Sequence, residues 1–234
     1  DVTSREWVGF EVLARWTSPE LGLVPPGEFI PVAEEIGLIA ALGERILERA
    51  CEQAQAWQLE ERRALSVSVN LSARQLRDRE LAARVERILA RTGLDPHLLV
   101  LELTESELME DVPRGRQQLE ALRRLGVRVS IDDFGTGYSS LGYLKSFPVD
   151  CLKIDRRFLS ALGRDDADDA IVRASVDIGH ALGLVVVAEG VEREQQRAAL
   201  QTLGCDLLQG WLIAPALSPD EIRKQLARNT GEER

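Results

Sequence analysis

The chain has 234 residues, 44% of them hydrophobic, enough for one large domain with a substantial core. Its 39 acidic and 29 basic side chains give a formal net charge of −10, which excludes the broad basic footprint of a duplex-DNA binder. Two histidines argue against a His-rich zinc site, and three cysteines without CxxC spacing read as reduced thiols in the core of a cytosolic protein. No apolar run approaches the ~20 residues that span a bilayer, and no signal peptide opens the chain.

In chain order, residues 7–16 (WVGFEVLARW) predict a strand with Glu11 inside it. SPELGLVPPG reads as a turn-rich loop. Residues 28–60 are helical in pattern with a break near Gly37, and Ile39, Leu42, Ile46 and Leu47 recur at helical spacing. Residues 65–71 (LSVSVNL) alternate as a strand ending near Asn70. Residues 79–91 form an amphipathic helix closed by Gly93. Residues 98–104 (LLVLELT) predict a strand carrying Glu102, and 114–125 a helix capped by Gly126.

Residues 127–131 (VRVSI) are rich in β-branched side chains and read as a buried strand. Asp132 and Asp133 stand at its end, and Gly135 and Gly137 permit a tight loop. Residues 139–146 predict a short helix and 149–154 (VDCLKI) a strand holding Lys153. A helix over 168–182 precedes an apolar strand, 184–188, that runs into Glu189-Gly190. A helix over 194–203 leads to the last strand, 205–212 (CDLLQGWL), which contains Gln209. Ser218 caps a final helix. The domain is expected over 1–228, with 229–234 a polar tail.

Strands and helices therefore alternate, the pattern of an α/β fold with parallel strands. No strand is followed by a dinucleotide-binding glycine fingerprint. A closed barrel normally has eight strands and seven are predicted here, so a barrel would lack one strand, expected at its N-terminal side.

Glu11, Asn70, Glu102, Asp132, Asp133, Lys153, Glu189 and Gln209 each interrupt a strand or end one. In a parallel barrel those ends converge on one face. An isolated acid there is ordinarily a turn or cap residue, and the Asp pair alone could be a solvated turn. Five carboxylates and a carboxamide together call for cations, and oxygen-only ligation suits Mg²⁺ or Mn²⁺. Two such ions are a standard device for in-line displacement at phosphorus. Lys153 would meet a phosphate or the attacking water, or else close the acid cluster as a salt bridge. Arg15, four residues after Glu11, would share its face of the strand and hold a phosphate oxygen, or else lie along the surface.

With these motifs in place the chain resembles the EAL family of cyclic-di-GMP phosphodiesterases. The matching segments are EVLAR at Glu11, PPGEFIPVAEE, Asn70-Leu-Ser, Glu102-Leu-Thr-Glu, DDFGTGYSSL, Lys153-Ile-Asp, Glu189-Gly-Val-Glu and Gln209-Gly. The signature reads EVL instead of EAL, and QGWLIAPAL lacks an Arg-Pro pair common in the family.

The resemblance implies a modified TIM (β/α)8 barrel whose first strand, antiparallel to the rest, is missing from this chain. It implies hydrolysis of one phosphodiester of cyclic di-GMP to linear pGpG by a water activated between two Mg²⁺ or Mn²⁺ ions. Carried over by position, Glu11, Asn70, Glu102 and Asp132 resemble the ligands of one ion, with Asp132 and Asp133 at the second. Glu189 resembles the general base, Lys153 and Gln209 position water or substrate, and Arg15 the phosphate. Glu105 resembles the acid that steadies the DDFGTGYSSL loop. The resemblance further implies a cytoplasmic domain that forms homodimers, fused to N-terminal sensory or GGDEF domains, in a parent protein that can be membrane-anchored. The alternative is a cyclic-di-GMP receptor without activity.

Overall fold

The structure is a computed structural model that describes residues 1–135, 141–163 and 166–229. The first half comprises β1 (Gly9–Val12), β2 (Trp16–Ser18), β3 (Gly22–Val24), α1 (Pro26–Glu35), α2 (Ile39–Glu61), β4 (Ser66–Asn70), α3 (Ala73–Leu76) and α4 (Leu81–Thr92). It continues through β5 (Leu99–Thr104), α5 (Glu105–Met109), α6 (Val112–Arg124), β6 (Arg128–Phe134), α7 (Leu141–Leu144) and β7 (Cys151–Ile154). The last part holds α8 (Arg156–Leu159), α9 (Asp166–Ala181), β8 (Val185–Ala188), α10 (Glu194–Leu203), β9 (Leu207–Leu208) and α11 (Pro219–Asn229).

Seven of the strands form one parallel sheet in the order β1-β4-β5-β6-β7-β8-β9. Apart from the added hairpin, these are the seven strands the sequence predicts, in the arrangement of a modified TIM barrel. Among the described residues its edges, β1 and β9, are not hydrogen-bonded to each other. The parallel crossovers are made by helices: α2 packs on β4, α6 on β6 and α9 on β7 and β8. Their apolar sides meet one face of the sheet in a core that includes Val67, Val69, Leu101, Leu103, Val129, Ile131, Leu152, Ile154 and Val186. A smaller core of Trp57, Leu65, Ile222 and Leu226, with Phe10 packed against it, joins α11 to α2 beside β1.

Two sequence expectations are corrected. SPELGLVPPG is not all loop: β2 and β3 pair as an antiparallel hairpin. Ser18 Oγ accepts from the amides of Glu20 at 3.3 Å and Leu21 at 3.2 Å, and Gly22 supplies the left-handed backbone, φ +70°, that turns the chain. The outer strands are also shorter than 7–16 and 205–212. In particular β9 stops at Leu208, before the turn that begins at Gly210. The break at Gly37 and the close at Gly93 are where the sequence places them, both with left-handed backbone (φ +77° and +74°).

All three cysteines are free, with burial pushing the thiols of Cys51 and Cys205 up to about 12 and that of Cys151 to about 11. Residues 230–234, most of the expected polar tail, lie outside the described residues.

Candidate functional site

Strand alternation sorts the residues into two sets. The set facing the helices is apolar. The opposite set is small or polar: Glu11 is paired in register with Ser68, Asn70 with Glu102, Glu102 with Ser130, and Ser130 with Cys151. Of this set Glu11, Ser68, Glu102, Ser130 and Cys151 line a cavity of about 700 Å³ that extends from Glu11, Glu102, Lys153 and Gln209 toward Val8, Pro148 and Leu184. Side chains that would be costly on the helix-packed face are therefore collected at the sheet's concave face, near the C-terminal strand ends.

Lys153 stands at the centre of the cluster. Its side chain is 2% exposed, and Nζ lies 2.5 Å from Glu189 Oε1 and 2.8 Å from Glu102 Oε2. Glu11 Oε2 is 3.5 Å away and Asp132 Oδ2 3.6 Å. Four carboxylates from four strand ends thus share one ammonium. Burial opposes charge on Lys153, but Glu102, Glu11, Glu189 and Asp132 together outweigh it and hold the ammonium above its ordinary range. The acids are left under-compensated. Burial raises Glu102 and Glu189 to about 7 each; neighbouring carboxylates add to the rise, and Lys153, which favours the charged forms, offsets it only in part. Glu11 is held from both sides: Asn70 Nδ2 donates to Oε1 at 3.0 Å and Gln209 Nε2 to Oε2 at 2.5 Å.

Successive residues of a regular strand face opposite sides, so Asp132 and Asp133 would not both reach one site. The β6–β7 register slips between Ile131 and Phe134, and Asp133 takes a left-handed backbone, φ +54°, uncommon for a residue other than glycine. Asp132 meets Lys153. Asp133 instead shares a hydrogen bond with Asp155, and its carboxyl is raised to about 6, by burial first and by Asp155 second. Asp155 is itself fixed by the Arg157 backbone N at 2.7 Å and Nε at 2.8 Å. Asp155 is the acid of the Lys153-Ile-Asp motif, and the sequence alone predicts no role for it. The signal available in the sequence is an acid placed directly after the strand that carries Lys153.

Glu189 and Gln209 follow β8 and β9 directly. Their turns lock together: the Val191 amide donates to the Gln209 carbonyl, and the Leu212 amide to the Val191 carbonyl, both at 2.9 Å. A Cβ on Gly210 would lie 2.3 Å from backbone atoms of Val191, so this contact requires glycine.

Two expected residues stand apart. Arg15 is not on β1, which ends at Val12, so sharing a strand face with Glu11 does not apply. It is exposed and its Nη1 donates to the Ala14 carbonyl at 2.9 Å. Glu105 is buried at the start of α5, and residues 136–140 of the loop it is expected to steady lie outside the described residues.

Among the described residues no group of three or more His, Cys, Asp or Glu side chains is arranged as a ready metal cage. The donor set itself is oxygen-rich, acidic and under-neutralised, the chemistry a hard divalent cation requires. Among the described residues no helix is long and apolar enough to cross a membrane.

Comparison with known proteins agrees with this geometry. The chain is 49% identical over 217 residues to an uncharacterized signaling protein of Caulobacter vibrioides, covering 93% of this chain and 26% of that protein. It is 45% identical over 220 residues to the bifunctional diguanylate cyclase/cyclic di-GMP phosphodiesterase MucR of Pseudomonas aeruginosa, covering 94% of this chain and 32% of MucR. The chain thus spans between a quarter and a third of the length of these relatives. The solved PaMucR phosphodiesterase in complex with c-di-GMP superposes with a TM-score of 0.87 at 46% identity, covering 92% of this chain and 87% of that one. The EAL domain model matches residues 1–216, and the chain belongs to the EAL domain family.

Proposed function

We propose that this chain hydrolyses one phosphodiester of cyclic di-GMP to linear pGpG, using Mg²⁺ or Mn²⁺, with two ions at the site. The observation that carries the proposal is the Lys153 ammonium shared by Glu11, Glu102, Asp132 and Glu189. Glu11, Asn70, Glu102, Asp132 and Asp133 would hold the ions. With its nitrogen donating to Glu11, Asn70 offers its carbonyl oxygen as a hard donor. Held there, such ions would supply a lowered pKa for water and a positive charge opposite the phosphate oxygens.

The protein's own groups do the rest. Glu189, raised by burial to about 7, is suited to take a proton from the attacking water near neutral pH. The water oxygen forms the new bond to phosphorus and the bond to one ribose 3′ oxygen breaks; that oxygen takes a proton from solvent, and the proton held by Glu189 returns to solvent. Lys153 keeps Glu189 and Glu102 in place and offers a positive group to the phosphate. Gln209 fixes Glu11 from the opposite side. Arg15, exposed and outside the cluster, would bind phosphate only by leaving the Ala14 carbonyl. Asp133 would exchange its bond to Asp155 for the second ion. An antiparallel strand between the open edges β1 and β9 would complete the barrel over the cavity. Homodimerisation through the loop that Glu105 steadies, and fusion to sensory or GGDEF domains, belong to the same proposal.

The test is incubation with cyclic di-GMP and Mg²⁺, Mn²⁺ or chelator, followed by chromatography of the products. Formation of pGpG with either metal and none with chelator is expected. Tight nucleotide binding without pGpG would replace the enzyme by a receptor.

A further inference from the structure

The loops that leave β4 and β5 are built alike. Asn70 lies two residues before Ser72, the N-cap of α3, and Glu102 two residues before Thr104, the N-cap of α5. Asn70 and Glu102 are direct partners in the β4–β5 register. Both caps are capping boxes, Ser72 with Gln75 and Thr104 with Glu107.

The two box side chains differ in reach. Gln75 Oε1 accepts from the Ser72 amide at 3.2 Å and from Ser72 Oγ at 3.1 Å, and so stays within its own loop. Glu107 Oε2 accepts from the Thr104 amide and from Thr104 Oγ1, both at 2.8 Å. Its second oxygen, Oε1, accepts from the backbone N of Ala73, the first residue of α3, at 3.2 Å. One carboxylate therefore closes its own cap and grips the neighbouring loop. The Leu71 amide, donating to the Glu102 carbonyl at 2.8 Å, completes the tie between the two strand ends.

We infer that Glu107 is a positioning residue that fixes the spacing of Asn70 and Glu102 and thereby sets the affinity of the site for a divalent cation. This rests on the cation site proposed above. A capping box needs one acceptor oxygen, and glutamine serves it as well as glutamate. At Glu107 both oxygens accept, from donors on two loops. An amide has one acceptor oxygen and cannot satisfy both sets. The carboxylate is thus required by the bridge and not by the cap. Groups that orient metal ligands from behind ordinarily change metal affinity when removed.

Glu107→Gln keeps the shape and the cap and removes the bridge. Ser72→Ala weakens the α3 cap and keeps the bridge. Mn²⁺ binding is followed for both variants and the wild type by electron paramagnetic resonance of the free ion, with thermal unfolding in parallel. Glu107→Gln is expected to raise the Mn²⁺ Kd about tenfold. Turnover of cyclic di-GMP at saturating Mn²⁺ should fall by much less. Ser72→Ala should lower Tm with a far smaller change in Kd. A wild-type Mn²⁺ affinity in Glu107→Gln, with only Tm reduced, would make the bond to Ala73 a purely structural tie between the loops and overturn the inference. A wild-type protein that binds no Mn²⁺ would overturn the proposed cation site itself, and this role with it.

Discussion

The molecule handles its charges in two contrasting ways. On the surface they pair in small groups open to water: Arg116 Nε meets Glu120 at 3.0 Å, and Arg223 meets Glu60 at 2.9 Å and Asp220 at 3.3 Å, with each side chain about half exposed or more. Water screens these pairs, and such contacts contribute about 0–1 kcal/mol each. Between the strand ends the ratio is four carboxylates to one ammonium, with Lys153 and Glu102 almost wholly buried. There the attraction is strong but the loss of hydration is large, and one cation does not settle the account. Ion pairing at the surface is close to neutral for stability, whereas the interior cluster retains a charge demand that ligand binding can satisfy.

The largest expected effect comes from Glu11→Ala. It removes a carboxylate held by Asn70, Gln209 and Lys153, and turnover of cyclic di-GMP should fall below detection. Near-normal rates in a steady-state assay would contradict the role given to Glu11. Glu189→Gln should retain metal and nucleotide binding while kcat falls by about 10²–10⁴-fold. If instead only the nucleotide affinity moved, Glu189 would be a binding residue.

Lys153→Met tests the other side of the contrast. Removing the ammonium strands four carboxylates, so chemical denaturation of the metal-free protein should show a loss of about 3–5 kcal/mol. An unchanged midpoint would mean that the acids do not depend on Lys153.

A smaller effect follows from pH. Glu102 and Glu189 titrate near 7 in the folded protein against an ordinary value of 4.5. The folded state binds more protons than the unfolded state between those values, so the stabilisation is fully present below the lower one and is lost as pH rises through the upper one. Metal-free protein should therefore melt roughly 5 °C lower at pH 8 than at pH 5.5, measured by differential scanning fluorimetry. A melting temperature that rises over that interval would reverse the sign. Arg116→Ala is the control from the surface, where a change under about 0.5 kcal/mol is expected.

Much of this is legible in the sequence. Glu11, Glu102, Lys153 and Glu189 stand out because a charged residue inside or just after an apolar strand has no cheap place except a shared polar site. The helix breaks at Gly37 and Gly93 were equally legible, since left-handed backbone selects glycine. Arg15 was misplaced because strand periodicity was carried past Val12, where the strand ends. The hairpin β2–β3 was missed because Pro19 and Gly22 mark a turn, while three-residue strands are too short to show alternation. The divergence of Asp132 and Asp133 depends on a register slip between strands far apart in the sequence. Glu107 did carry a local sign, the Thr-x-x-Glu spacing of a capping box, but its bond to Ala73 requires two loops to be adjacent.

The most direct measurement is calorimetric titration of the protein with Mn²⁺ at pH 7 in buffers of different ionisation enthalpy, with Glu102→Gln alongside. Saturable binding with release of protons, as Glu102 and Glu189 give up theirs to the cation, and loss of that binding in Glu102→Gln, is the predicted result. An absence of Mn²⁺ binding, or equal binding by the wild type and Glu102→Gln, would contradict the assignment of this cluster as a divalent-cation site.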